Sequence, residues 1–390
     1  MKLFKSLLVA PAALGLMTPL AVSASEVNLN DISNYSDVES VEFANSFNED
    51  EPNENQLIAG GEGLVDSHSH DGSFSETTTA SFSTDFYVGA VDGGTAATND
   101  PFMATYGFQI DLNTSFFDGD NLDISLDAGN SSSTTTGVAE FDGNATGDAL
   151  TVDGVSYTFP LGGATVFVAD NGDASALFTT ACAYGGPTDT LDDCGNVNAG
   201  PSSGGVAFGS SYDFGNGFAA AVGYQAVDAE EDQGLMTEES TDAYALNASY
   251  TGDNYGLSVT YSSTEDGETD EKEDTYTAFN GYYTLEGELF PSISVGYEIG
   301  DDASAGAAAD EITSFFVGLQ WDEVGPGALG VAMGHSNTAE GSDEEYMYEA
   351  YYSYPINDGM TITPVIYTKE NTSAGQNDAS GFLVKTSFSF

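Results

Sequence analysis

Positive charge is what this 390-residue chain lacks most: 5 Lys+Arg stand against 63 Asp+Glu, for a formal net charge of -58. The cations are Lys2, Lys5, Lys272, Lys369 and Lys385, and there is no arginine at all. A surface of this sign repels phosphate backbones, so nucleic acid is excluded as a partner. It suits salty water, where a Debye length of roughly 3 to 10 Å screens self-repulsion. Histidine is scarce too, with His68, His70 and His335 the only copies. No Ser/His/Asp set, zinc motif, phosphate loop or nucleotide fingerprint occurs, so neither an enzyme class nor a cofactor is indicated.

Long apolar runs are also missing. The start, MKLFKSLLVAPAALGLMTPLAVSASE, has two lysines, an apolar stretch from about Leu7 to Leu16, and Val22 and Ala24 at cleavage-site spacing. It reads as a secretory signal peptide over 1–24, since a spanning helix needs about 20 apolar residues and Pro11 and Pro19 interrupt this run. No later stretch reaches about 18 apolar residues, which excludes an α-helical membrane protein. Cysteine is limited to Cys182 and Cys194, close together in an exported and hence oxidising setting, where a disulfide is the default reading.

Residues 25–79 are polar and acidic, with NEDEPNENQ at 48–56 and DSHSHDGSFSETTT at 66–79, and read as a linker or arm without fixed structure. From residue 80 the texture becomes strict alternation, the period of a β-strand. Ala80, Phe82, Thr84, Phe86 and Val88 share one face. The same code recurs at Leu122, Ile124 and Leu126, at Tyr244, Leu246, Ala248 and Tyr250, at Val295, Tyr297 and Ile299, and at Tyr346, Tyr348, Ala350, Tyr352 and Tyr354.

The connections alternate in length. Short ones are FDGD (117–120), PLGG (160–163), GNG (215–217), TGDN (251–254), LEGE (285–288), DEVGPG (322–327) and PINDG (355–359). Between them lie longer acidic or Gly/Ser-rich segments near 91–102, 130–147, 170–203, 227–241, 262–273, 300–310, 335–344 and 370–379. Seven short turns and eight long loops join sixteen strands, an even count that suits an up-and-down barrel closed on itself. A soluble β-sandwich, as in a surface adhesin, alternates as well. Against it stand the aromatics flanking the short turns, such as Phe214, Phe218, Tyr250, Tyr255 and Trp321, and the second face of each strand, rich in Ser, Gly, Thr, Asn and Asp. The expected fold is all-β: a 16-stranded antiparallel transmembrane β-barrel over 80–390, with short periplasmic turns and long extracellular loops. In MTITPVIYTK, Pro364 sits inside a ladder to which it cannot donate, so a bulge is expected there.

The start MKLFKSLLVAPAALGLM, the short hairpins, VGLQWDEVGPGALGVAMG at 317–334 and the terminal aromatic strand resemble outer-membrane porins of marine cyanobacteria. That is the OprB-like family of carbohydrate-selective or iron-uptake porins. The resemblance covers the signal peptide and 80–390. Family members usually carry a surface-layer homology domain between signal and barrel, where this chain has only 25–79. It implies a homotrimer in outer-membrane lipid, with Phe388 and the terminal Phe390 as the signal read by the outer-membrane assembly machinery.

In sixteen-stranded porins the third long loop typically folds inward and sets the constriction. By count that loop is 170–203, with Asp170, Asp173, Asp189, Asp192 and Asp193; the alternative is an exposed cap loop. Asp85, Asp111, Asp123, Asp127, Asp213, Glu298, Glu349, Lys369 and Lys385 fall at inward, pore-lining positions. Carboxylate rings favour cations, so a cation-preferring channel is expected. TEDGETDEKED (264–274) and HSHD (68–71) are read as solvated charge rather than metal sites, and FDGDNLD (117–123) has Leu122 where a calcium loop needs a ligand.

Overall fold

The computed structural model describes residues 77–390 except 94–101, 132–138, 142, 228, 230–233, 238–239, 266–272, 288, 303–310 and 374–375. The expected signal peptide, HSHD, and most of both the acidic arm and TEDGETDEKED lie outside the described residues. The strands are β1 (Thr78–Asp92), β2 (Met103–Thr114), β3 (Asn121–Gly129), β4 (Thr151–Leu161), β5 (Ala164–Asp170), β6 (Val206–Gly215), β7 (Phe218–Ala226) and β8 (Asp242–Thr251). They continue as β9 (Tyr255–Glu265), β10 (Glu273–Thr284), β11 (Ser292–Asp301), β12 (Glu311–Val324), β13 (Gly327–Ala339), β14 (Met347–Asn357), β15 (Met360–Lys369) and β16 (Ala379–Ser389). A single helical turn, α1 (Asp189–Asp192), lies in the longest connection. Among the described residues no helix is long and apolar enough to cross a membrane.

Each strand pairs antiparallel with its sequence neighbours, and β1 pairs with β16 from Ser83↔Ser389 to Asp92↔Ser380, so the sheet closes into a barrel. Phe82 and Phe390 finish the seam by exchanging both backbone hydrogen bonds, at 2.9 and 3.0 Å, with their rings stacked 5.5 Å apart. Closure rules out the two-sheet sandwich. It also leaves no edge strand to pair with another chain.

Side-chain parity then sorts the residues, and the sorting is the reverse of a soluble core. Along β11 the exposed positions are Ile293, Val295, Tyr297 and Ile299, while Ser294 and Glu298 are each only 1% exposed. The same holds for β8 and β9, where Tyr244, Leu246, Leu257 and Val259 point out and Asn247, Ser258 and Thr260 are buried. A wall with its apolar residues outside suits a hydrocarbon surround. At the short-turn end Phe116, Phe117, Phe214, Phe218 and Phe290 add an exposed aromatic rim, and Phe218 packs on Tyr250 at 4.7 Å.

Three details differ from the sequence reading. First, β1 begins at Thr78, slightly before the expected boundary. Second, no bulge forms at Pro364. It pairs with Val384 in unbroken register, and on the β14 side Tyr351↔Val365 and Tyr354↔Ile362 keep one register across it. The missing donor costs a rung of the ladder, and the bulge of that hairpin lies between Pro355 and Asn357 instead. Third, part of the inner face is apolar. Tyr87, Phe316, Met347, Tyr351, Val365, Tyr367 and Leu383 point inward and form a buried cluster with Phe141, Tyr184 and Leu191 from the connections.

The FDGD turn explains itself without a metal. Asp120 accepts hydrogen bonds from Ser115 Oγ and from the Phe116 and Phe117 amides, all at 2.9 Å, and from the Tyr157 hydroxyl at 2.6 Å. Burial pushes its carboxyl up, but the Tyr157 hydroxyl and the other donors outweigh that and hold it at about 2. Because the folded value lies below the ordinary 3.8, this stabilisation is fully present above pH about 4 and is lost as pH falls through about 2. Asp120→Asn is expected to lower the temperature at which the barrel unfolds on a heat-modifiability gel at neutral pH. The gap from the parent should close near pH about 2. An equal gap at both pH values would contradict this role.

Candidate functional site

The 35-residue connection between β5 and β6 follows the inner wall. Its outward leg begins in a turn and then runs along the wall, where alternate amides from Thr179 to Gly185 donate to wall side chains. Ala174 N–H bonds Gln225 Oε1 of β7 at 2.9 Å, and Thr179 bonds Asn247 Oδ1 of β8 at 3.1 Å. Ala181 bonds Ser258 Oγ of β9 at 2.9 Å, Ala183 bonds Ser294 Oγ of β11 at 2.8 Å, and Gly185 bonds Gln320 Oε1 of β12 at 2.9 Å.

Two glutamates of the inner wall hold this connection. Glu298 of β11 accepts from the Asn198 and Ala199 amides and from Asn198 Nδ2, each at 2.8 Å. Glu349 of β14 accepts from the Tyr184 hydroxyl at 2.5 Å. Burial and then the neighbouring Glu349 raise the Tyr184 hydroxyl far above its ordinary range, so it remains a donor. Both glutamates are at least 97% buried, so each uses its carboxylate on the connection. They are tethers, and the expectation that they line open water is corrected accordingly.

Cys182 and Cys194 are joined by a disulfide, Cα atoms 6.4 Å apart, which closes the far end of the connection. Gly296 lies under it, and a Cβ there would overlap the Cys194 carbonyl, while Gly223 makes the same room for Ala174. These wall glycines permit the close approach. Beyond the disulfide, Asn280 Nδ2 bonds the Cys194 carbonyl at 2.8 Å.

The expected acidic residues divide among different places. Asp173 is half-buried in the connection and lies within electrostatic reach of Asp153 on β4. Asp189, Asp192 and Asp193 are half-buried at α1, whose Leu191 is 1% exposed in the apolar cluster. Asp170 is instead the last residue of β5, exposed and paired with the outward Val155, so it does not belong with them. Asp213 is exposed at the GNG turn and accepts the Gly215 amide at 2.7 Å, a capping task that takes it off the pore lining.

On the wall facing the connection, Asp111, Asp123 and Asp127 share the inward parity of β2 and β3. Asp111 accepts from Gln109 Nε2 at 2.7 Å and from Ser125 Oγ at 2.8 Å, and Asp127 accepts from Thr151 Oγ1. Asp153 lies within electrostatic reach of Asp111, Asp123 and Asp127. Simple alternation misses Asp153, because a register shift opposite Ser125 and Leu126 changes the parity along β4. The inward lysines are both paired: Lys385 Nζ is 3.1 Å from Asp85, and Lys369 Nζ is 3.1 Å from Glu140. Among the described residues no group of His, Cys, Asp and Glu has the arrangement of a metal site.

No protein-family model and no curated protein matches the chain. Solved structures do. OprB of Pseudomonas putida aligns with a TM-score of 0.59 at 12% identity, over 80% of this chain and 94% of that one. A substituted Rh. blastica porin aligns with a TM-score of 0.51 at 13% identity, over 80% of this chain and 100% of that one. A loop-deleted OmpT, an outer membrane protein of Vibrio cholerae, aligns with a TM-score of 0.54 at 11% identity, over 81% and 100%. At such identities the likeness is one of fold: this is the closed sixteen-stranded barrel of the porins.

Removing the Glu298 tether tests the wall-bound arrangement. Three hydrogen bonds to one buried carboxylate are worth about 1.5 to 3 kcal/mol each before losses elsewhere. Glu298→Ala is expected to free the return leg near Asn198, read as new protease cleavage between Cys194 and Gly205 in an otherwise intact barrel. Double substitution Cys182→Ser and Cys194→Ser should add to it, since closing this loop constrains the unfolded chain by about 3 kcal/mol. Unchanged protease resistance in both variants would contradict the tethering.

Proposed function

We propose that the protein is an outer-membrane porin whose barrel forms a water-filled, cation-preferring channel for passive diffusion of small hydrophilic solutes and inorganic ions. The observation that supports it is the sorting of side chains in a closed barrel, apolar outward and carboxylate-rich inward. In this reading the β5–β6 connection is the constriction, and Asp173, Asp189, Asp192 and Asp193 face its mouth. Asp111, Asp123, Asp127 and Asp153 make the opposite wall negative, while the charge of Asp85 is balanced by Lys385. A low-dielectric wall focuses that potential and concentrates cations over anions.

The short turns then face the periplasm and the long loops the exterior, after export through a cleaved signal peptide. Sugars and iron are the solutes that the family resemblance adds, and the want of arginine weighs toward ions and small neutral solutes. The same reading includes outer-membrane lipid as the surround, a homotrimer, and Phe388 and Phe390 as the segment read by the assembly machinery.

Purified protein in planar bilayers tests this. Discrete conductance steps with a reversal potential of cation-preferring sign in a KCl gradient are expected. Anion preference, or membranes left silent by folded protein, would overturn the reading.

A further inference from the structure

Three separate pieces of chain meet at one ion pair. Glu140, from a turn at Ala139–Phe141 between β3 and β4, accepts Lys369 Nζ of β15 at 3.1 Å through Oε1. Its Oε2 accepts Thr190 Oγ1 at 2.9 Å and the Thr190 amide at 3.3 Å, both in α1 of the β5–β6 connection. Lys369 Nζ also donates to Thr190 Oγ1 at 2.9 Å, which closes the triangle. Phe141 is fully buried against the inward ring of Tyr87, centroids 5.2 Å apart, and so fixes the turn that presents Glu140.

The two inward lysines differ in what water can sense. The Lys385 side chain is 10% exposed and the side chain of its partner Asp85 is 8% exposed, so that pair is sealed. The Lys369 side chain is 35% exposed while that of Glu140 is 13% exposed. Without Glu140, Lys369 would be the one positive charge among the described inner-wall residues open to solvent and unbalanced.

We propose that Glu140 determines ion selectivity by cancelling the Lys369 charge at the inner surface, so that permeating ions meet carboxylates with no free cation opposite. Glu140, on the turn Ala139–Phe141, thereby shapes the field beside the β5–β6 connection. The proposal rests on the porin reading above. One unit charge about 8 Å from an ion in a water-like dielectric changes its local concentration about twofold. Its effect on a cation and an anion is opposite, giving about fourfold in their permeability ratio.

A charge cycle in planar bilayers at low salt tests it. Glu140→Gln should lower the cation-over-anion permeability ratio about fourfold, and Lys369→Gln, which leaves Glu140 uncompensated, should raise it by a similar factor. The double variant should return to the parent ratio. Heat-modifiable migration identifies folded barrels, and if Glu140→Gln does not fold, Lys369→Gln reads the same coupling with opposite sign. Single variants that leave the ratio unchanged, or a double variant that behaves like Glu140→Gln alone, would overturn the proposal. A parent channel without cation preference would sink the functional reading instead, while the cycle still reports whether the two residues are coupled.

Discussion

Everything in this structure depends on the backbone ladder having no end. In hydrocarbon an unpaired N–H or C=O costs several kcal/mol, so a sheet survives there only as a closed ring. The seam is the pairing of β1 with β16, finished by the reciprocal bonds of Phe82 and Phe390. Once the ring is closed, parity has only two directions to point. The alternation Phe82, Phe86, Val88 against Asp85 and Tyr87 becomes outside against inside, and every strand inherits that division through its register.

Closure creates a second problem, which is how to occupy the interior of sixteen strands. The β5–β6 connection solves it by treating the inner wall as a hydrogen-bonding surface. Its alternate amides meet Asn247, Ser258, Ser294 and Gln320, and its return leg meets Glu298. Inward glycines, Gly223 and Gly296, let the backbone come close. The apolar patch of Phe316, Tyr351 and Leu383 gives Tyr184 and Leu191 something to pack against. Polar wall residues thus divide by use: some hold the connection, and those on β2 to β4 stay on the opposite wall. In this account the second group sets the potential for solutes.

The fold was legible because period-two alternation and the rhythm of short and long connections are properties of neighbouring residues. All seven short turns mark junctions of consecutive strands, although PLGG, DEVGPG and PINDG overlap the strand ends beside them. The roles of individual acids were much less legible. Alternation placed Glu298 and Glu349 inside but is silent on what covers them, since their partners are about 100 and 165 positions away. Asp213 was misassigned because a turn residue keeps strand parity while its carboxylate bends to cap Gly215. Asp153 was missed because a register shift is invisible in one strand read alone. Glu140 had no signal in sequence beyond its charge, as its meaning arises only where three distant segments meet. Phe167 and Phe141, both buried, look like any other aromatic until parity or packing is known.

The central claim is that the outer face of this barrel lies in lipid and the inner face does not. The chain contains 1 Trp, Trp321, which has outward parity on β12 near the short-turn end and donates its indole N–H to the Leu289 carbonyl at 3.2 Å. Its fluorescence in reconstituted vesicles is therefore the most direct readout. The account predicts strong quenching by lipids brominated near the headgroup end of their chains and weak quenching by aqueous iodide. Strong iodide quenching with no response to brominated lipid would place the outer face in water and contradict it.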